Sequence, residues 1–321
     1  MPVGAVDVVI PTLGRPSLRP LLTALGDVTG RLIVVDDRRD VSEPLGVPAG
    51  AVLVRGRAAG PAAARNDGWR AARSAWVAFL DDDVLSPPGW YADLLADLAD
   101  PATLEPEVAG SQGRIVVPLP GERRPTDWER NVAGLQAALW ATADMAYRRS
   151  VLEEVGGFDE RFPRAYREDA DLGLRVLAAG YRIVRGARRV THPVRPTDWQ
   201  VSLRLQRGNA DDPLMRALHG RGWRRRAGVP RGRRPAHLAT TAAGLLGAAG
   251  LASGRRGLAA AGALGYAGGA AELAWRRIAP GPRTPAEVAT MVATSAVLPA
   301  VASYWYLAGW LGLPRRLAAG R

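Results

Sequence analysis

The chain is 321 residues long with a formal net charge of +12; it has no cysteine, and its 43 basic residues are all arginine. That length accommodates one large domain or two ordinary ones around a sizeable core, and the lack of cysteine excludes disulfides and thiolate metal sites. Residues 1–200 hold 25 Arg against 27 Asp and Glu, a net of −2, whereas residues 201–321 hold 18 Arg against 4 acids, a net of +14.

This asymmetry predicts a boundary near residue 200 and directs the tail toward a polyanion, either nucleic acid or an anionic membrane. No secretory leader is expected, because Val6–Ile10 is short, contains Asp7 and follows no basic stretch. The front half is therefore expected in the cytoplasm.

In chain order, Val6–Ile10 reads as a first strand, stopped by Pro11. Ser17 is placed to cap a helix whose Leu18, Leu21, Leu22 and Leu25 share one face. Leu32–Val35 is a second strand ending in Asp36 and Asp37, and Ala51–Val54 is a third. An alanine-rich helix around Ala62–Ala75 leads into the strand Trp76–Leu80, which ends in Asp81, Asp82 and Asp83. Strands alternating with helices predict right-handed crossovers and a mostly parallel α/β sheet covered on both faces.

Two of these strands deliver carboxylates to one sheet edge, where open α/β sheets bind ligands. Three adjacent Asp repel one another, so they imply a neutralising cation, and an oxygen-rich site suits Mg²⁺ or Mn²⁺. No glycine-rich dinucleotide fingerprint follows the first strand, where the loop is Pro11-Thr12-Leu13-Gly14-Arg15, and no P-loop sequence occurs anywhere.

The ordered set Val-Asp-Val-Val-Ile-Pro-Thr, Val-Val-Asp36-Asp37, Ala64-Arg65-Asn66-Asp-Gly68 and Phe-Leu-Asp81-Asp82-Asp83 resembles family 2 glycosyltransferases of the GT-A fold. Gly156-Gly-Phe-Asp159-Glu160, Glu168-Asp169-Ala-Asp171 and Gly180-Tyr-Arg-Ile183 extend the resemblance over roughly residues 6–195. The resemblance implies a nucleotide-sugar donor, with Pro11, Thr12, Arg15, Arg65 and Asn66 around the nucleotide and Asp81 and Asp82 near the ribose. It places Asp83 on an Mn²⁺ or Mg²⁺ ion and either Asp36 or Asp37 on the base. In several GT-A enzymes a histidine completes the metal site, and His192 occupies that position.

Farther along, Val108–Val117 reads as a strand in which Gly110 and Gly113 permit bends or close backbone approach. Residues 118–127 read as a mobile loop, and residues 128–140 as a helix or irregular segment. Thr142–Arg148 resembles the family's strand across the site, with Asp144 where asparagine is usual. Ser150 to Glu153 has the pattern of a capping box, and Gly156-Gly157 stops that helix.

Glu168 and Asp169 open a helix with Leu172, Val176 and Leu177 on its apolar face. The resemblance implies an inverting reaction with Asp169 as general base and Glu168 orienting the acceptor. The Gln-x-x-Arg-Trp signature of processive synthases is absent, which favours transfer of one sugar.

In the tail, seven Arg fall within residues 221–234, followed by the apolar stretches His237–Ala252, Gly257–Trp275 and Val288–Leu313. Only the last comfortably reaches the roughly 20 residues a span requires, with Tyr304, Trp305, Tyr306 and Trp310 as interfacial anchors. The first two, rich in Ala and Gly, fit a tight hairpin with small residues at its seam, although Arg255-Arg256 sits awkwardly at its turn.

The predicted layout is a catalytic domain over 1–200, an Arg-rich linker over 201–235, and a helical membrane-associated region over 236–321 with one to three spans. The catalytic domain is expected on the cytoplasmic side of the cell membrane. The partners are a nucleotide-sugar, a glycan or lipid-linked acceptor and an anionic membrane surface, with no nucleic acid. Two other readings of the carboxylates are a haloacid dehalogenase-like phosphatase, which usually needs a lysine this chain lacks, and a silent membrane scaffold.

Overall fold

A computed structural model describes residues 4–319. They form two compact units, one containing the chain up to Pro118 with Ala133–Val194 and Arg226–Gly228, the other Leu119–Val132, Arg195–Arg225 and the chain from Val229 onward.

The first unit is built on a seven-stranded sheet of order β3-β2-β1-β4-β6-β5-β7. Its strands are β1 (Val6–Thr12), β2 (Leu32–Asp36), β3 (Val52–Arg55), β4 (Trp76–Leu80), β5 (Val108–Val116), β6 (Asp144–Arg148) and β7 (Arg182–Thr191). β3, β2, β1 and β4 run parallel, β6 is antiparallel to both neighbours, and β7 is parallel to β5. The α/β class with a mostly parallel sheet is thus observed. β2 and β4 are buried at every position because they are almost wholly apolar, as strands covered on both faces must be.

The helices are α1 (Leu18–Leu25), α2 (Pro61–Ala71), α3 (Trp90–Ala99), α4 (Arg149–Val155) and α5 (Glu168–Ala178). Leu18, Leu21, Leu22 and Leu25 are buried, as their spacing predicts. The core on one face joins Val9, Ile33, Phe79, Met145, Tyr147 and Phe158. Phe79 meets Phe158 edge to face with ring centroids 5.2 Å apart.

Several local expectations fail for definable reasons. Ser17 makes no side-chain cap, being itself helical in conformation. α4 begins at Arg149, before Ser150, and Glu153 pairs with Arg149 instead of closing a capping box. On α5 the buried apolar residues are Leu172, Leu174 and Val176, whereas Leu177 is exposed. Gly156 does end α4 in the left-handed region at φ 79°, a conformation glycine adopts without the Cβ clash. β1 continues through Pro11 to Thr12, and residues 127–140 hold one helical segment (Asp127–Ala133) and a 3₁₀ turn (Gly134–Ala137).

The second unit is helical, with α6 (Asp212–His219), α7 (Arg234–Ala252), α8 (Arg256–Ile278) and α9 (Pro285–Ala318) as its longer elements. α7 and α8 form the predicted antiparallel hairpin, in which a Cβ on Gly262 would lie 2.2 Å from the Gly247 nitrogen. Among the described residues, α9 alone is long and apolar enough to cross a membrane by length and composition.

Candidate active site

Because β1, β2 and β4 are parallel, Thr12, Asp36 and the Asp81–Asp83 turn emerge at one edge. The three carboxylates of the turn point to different partners. Asp82 is buried and accepts a 2.6 Å hydrogen bond from Thr12 Oγ1, while Arg15 Nη1 forms an ion pair with its other oxygen. Thr12 Oγ1 also accepts from the Gly14 amide at 2.9 Å. Asp82 therefore holds the β1 loop in shape.

Asp81 is the most exposed of the three side chains and pairs with Arg65 at 2.8 Å. Asp83 Oδ1 lies 3.5 Å from His192 Nε2. The two come together because Leu85 and Thr191 exchange backbone hydrogen bonds of 2.7 and 2.9 Å, bridging the turn after β4 to the end of β7. The other ring nitrogen, His192 Nδ1, is buried and has no hydrogen-bond partner among the described residues.

Arg65 ties the edge together. It is buried on α2, its Nη2 on Asp81 and its Nη1 2.9 Å from Glu168 Oε1, at the start of α5. The second Glu168 oxygen accepts from the Tyr166 amide at 2.7 Å. Both oxygens are thus occupied, and Glu168 is buried. Burial, followed by the neighbouring Asp169 charge, pushes its carboxyl up to about 7 despite Arg65.

Asp169 is only partly buried and accepts from the Ala170 amide at 2.6 Å. Desolvation raises its carboxyl above the usual range, with the Asp81 charge adding to the effect. The sequence therefore brings two adjacent carboxyls, both raised by desolvation, to one helix start, where perturbed carboxyls suit acid–base chemistry.

Asp36 and Asp37 also separate. Asp36 accepts two 2.8 Å bonds from Arg38 and lines a cavity of about 280 Å³ with Leu53 and Arg55. Asp37 accepts a 3.3 Å bond from the Gly60 amide, and its Oδ1 has no partner among the described residues. Burial raises Asp37 above the carboxylate range.

Asn66 lies one residue after Arg65 on α2. Its amide donates to Phe158 O and Glu160 at 2.8 and 2.9 Å and accepts from the Phe158 amide and Trp69 Nε1 at 2.9 and 2.8 Å. With its hydrogen-bonding groups engaged, it clasps α2 to the Gly156–Glu160 loop. Pro11 lies within β1, ahead of the Thr12–Arg15 loop.

A second buried network went unread in the sequence. Arg188 on β7 is fully buried and pairs with Asp144 at 2.8 Å and Asp97 at 3.0 Å, while Trp90 Nε1 donates to Asp144 at 2.9 Å. Gly113 faces this carboxylate so closely that a Cβ would lie 2.2 Å from Asp144 Oδ2, which realises the predicted close approach. Asp144 is thereby a structural anion, not a solvent-facing one.

Among the described residues, no three His, Asp or Glu side chains converge as a metal-holding group. The Asp83–His192 pair offers one hard oxygen and one imidazole nitrogen. That set fits a divalent ion that takes its remaining ligands from phosphate oxygens and water, the usual habit of Mg²⁺.

Residues 7–156 match the family model described as glycosyl transferase family 2. A pre-mycofactocin glycosyltransferase of Mycobacterium tuberculosis is 36% identical over 197 residues, covering 56% of this chain. The match spans 40% of that relative's length. A mannosyltransferase of Pyrobaculum calidifontis, solved with GDP-Man and Mn²⁺, is 18% identical with a TM-score of 0.49, covering 96% of this chain and 86% of its own. Glucosyl-3-phosphoglycerate synthase of Mycobacterium tuberculosis, solved with Mn²⁺, UDP and phosphoglyceric acid, is 17% identical with a TM-score of 0.44, covering 71% and 80% respectively.

Proposed function

Starting from the match of residues 7–156 to the glycosyl transferase family 2 model, we propose that this protein transfers one sugar, with inversion, from a nucleotide-diphosphate sugar to a cell-envelope or lipid-linked acceptor. It does so on the cytoplasmic side of the cell membrane. The observation that carries this reading is Arg65, which pairs with Asp81 of the strand-end triplet and with Glu168 of the acidic helix start. The two carboxylate groups that the sequence separates by more than eighty residues therefore belong to one site.

In the reaction, the acceptor hydroxyl oxygen bonds to the anomeric carbon as the bond from that carbon to the diphosphate breaks. The hydroxyl proton passes to a carboxylate oxygen of Asp169, and the nucleotide diphosphate leaves. A raised Asp169 pKa strengthens it as a base, and positioned bases contribute roughly 10²–10⁴-fold. Glu168, with both oxygens occupied, positions Asp169 instead of meeting the acceptor. Asp37, with an unused acceptor, takes the base N–H, and Arg15 and Arg65 supply positive charge on the diphosphate side. Asp83 and His192 would hold Mn²⁺ or Mg²⁺, which neutralises charge developing on the diphosphate.

Asp169→Asn tests the base assignment. The variant should bind nucleotide-sugars within about twofold of wild type by calorimetry while transfer falls at least about a hundredfold. Normal turnover would refute the assignment. A second reading follows from the 36% identity to a protein named for pre-mycofactocin. If the acceptor is of that kind, purified pre-mycofactocin is glycosylated and a membrane lipid extract is not.

A further inference from the structure

The α7–α8 hairpin is inverted relative to a helix pair packed in water. Its seam is glycine and alanine: besides the Gly262–Gly247 approach, a Cβ on Gly250 would lie 2.4 Å from the Ala259 nitrogen. Four of its leucines face outward, Leu245, Leu246, Leu251 and Leu264 being between 54% and 76% exposed, whereas Leu273 near the open end packs against Leu298 and Ala302 of α9. In water a helix pair gains stability by turning leucines into the seam. Small residues inside and leucines outside are instead how helices pack where the surroundings are themselves apolar.

Length and charge point the same way. No Asp, Glu, Lys or Arg occurs from Pro235 to Gly254 or from Gly257 to Ala271. α7, at 19 residues, is about 28 Å long, close to the roughly 30 Å hydrocarbon thickness of a bilayer. Arg255 and Arg256 mark the turn, and Arg233, Arg234 and Arg276 mark the open end.

α9, the helix that hydropathy selects, is committed elsewhere within its own unit. The Asp127 amide donates to Glu287 at 2.7 Å, and Arg277 donates to Thr294 and Ser295 at 2.8 and 3.1 Å. Gly309 abuts the Ala210 backbone, Arg216 lies over Trp310, and Arg316 donates to Ala210 O at 2.8 Å. The charged stretch around residues 207–216 therefore accompanies the C-terminal half of α9, and such a stretch does not enter hydrocarbon. α9 also meets Arg234 through Tyr306, Thr241 through Ser303 and Tyr266, near the middle of α8, through the Ala296 carbonyl, so it crosses the open half of the hairpin, while the turn residues 251–258 are exposed.

We propose that the α7–α8 hairpin, not α9, is the segment that enters a phospholipid bilayer. Arg255 and Arg256 reach the far headgroups, the basic open end meets the near anionic surface, and α9 lies across the near half of the hairpin with its C-terminal half at that surface. This rests on the membrane attachment proposed above.

The absence of cysteine makes single-cysteine labelling free of background. Full-length Leu246→Cys, Leu264→Cys and Leu311→Cys proteins, all altered at exposed positions, are bound to sealed phosphatidylcholine–phosphatidylglycerol vesicles and treated with an impermeant maleimide. Labelling of Leu246→Cys and Leu264→Cys should slow by about tenfold or more on vesicle binding, while Leu311→Cys stays faster than either. The reverse order, or equal rates at all three, overturns the hairpin assignment while leaving attachment intact. Failure of the unlabelled protein to float with the vesicles overturns attachment itself.

Discussion

Replacing Glu168 by glutamine isolates the charge that burial makes most costly. The wild-type carboxyl is 2% exposed and is raised from 4.5 to about 7, chiefly by burial. A folded-state value above the unfolded one means that the folded protein binds more protons between these two pH values. Stability from this group is therefore complete below pH 4.5 and is lost as pH rises through about 7. Converted to free energy, the shift corresponds to roughly 3 kcal/mol lost across that window.

Glutamine keeps the shape and cannot ionise, so its stability curve should lack that decline. Urea unfolding of both proteins at pH 5 and pH 8 measures the difference. The wild type should lose about 2–3 kcal/mol more than Glu168→Gln between these pH values, whatever the variant's absolute stability with Arg65 short of one partner. Parallel pH dependences of unfolding in the two proteins would refute the argument.

Other consequences are direct. Asp83→Ala and His192→Ala should each weaken Mn²⁺ binding in the presence of nucleoside diphosphate, with Asp83→Ala losing turnover by at least about a hundredfold; calorimetry and initial rates test this. Gly113→Ala should destabilise the first unit by about 1–3 kcal/mol, because the added methyl collides with a carboxylate held by Arg188 and Trp90; a lowered urea midpoint would show it. Asp37→Asn should weaken donor affinity more than Asp36→Asn does, as read by nucleotide titration, because Asp36 is already saturated by Arg38.

Much of the sheet was legible because β1, β2 and β4 are short apolar runs ending in carboxylates, a pattern local spacing encodes. The leucines of α1 were legible for the same reason. What local spacing does not encode is which side chains meet across the sheet. The partners of Asp82 lie sixty-seven and seventy residues earlier, and Arg188 reaches Asp144 from forty-four residues away. Asn66 sits in a motif associated with nucleotide binding, yet its partners are chosen by a loop ninety residues later. The Ser150 pattern satisfied the capping-box spacing, but the helix starts one residue early and Arg149 claims Glu153 first. In the tail, composition selects α9 because it counts apolar residues, whereas the close glycine seam of the hairpin emerges only when α7 and α8 are brought together.

The meeting of Asp83 and His192 sets a time as well as a place. They lie more than a hundred residues apart, joined by the Leu85–Thr191 bridge at the end of the last strand. A nascent chain leaving the ribosome displays the acidic turn long before it owns the imidazole that faces it. Contacts of such sequence separation form late, after the loop entropy between them has been overcome. Affinity for the metal ion proposed at this pair should therefore appear abruptly near the end of refolding, and such an ion would favour the finished domain over every intermediate that lacks its final strand.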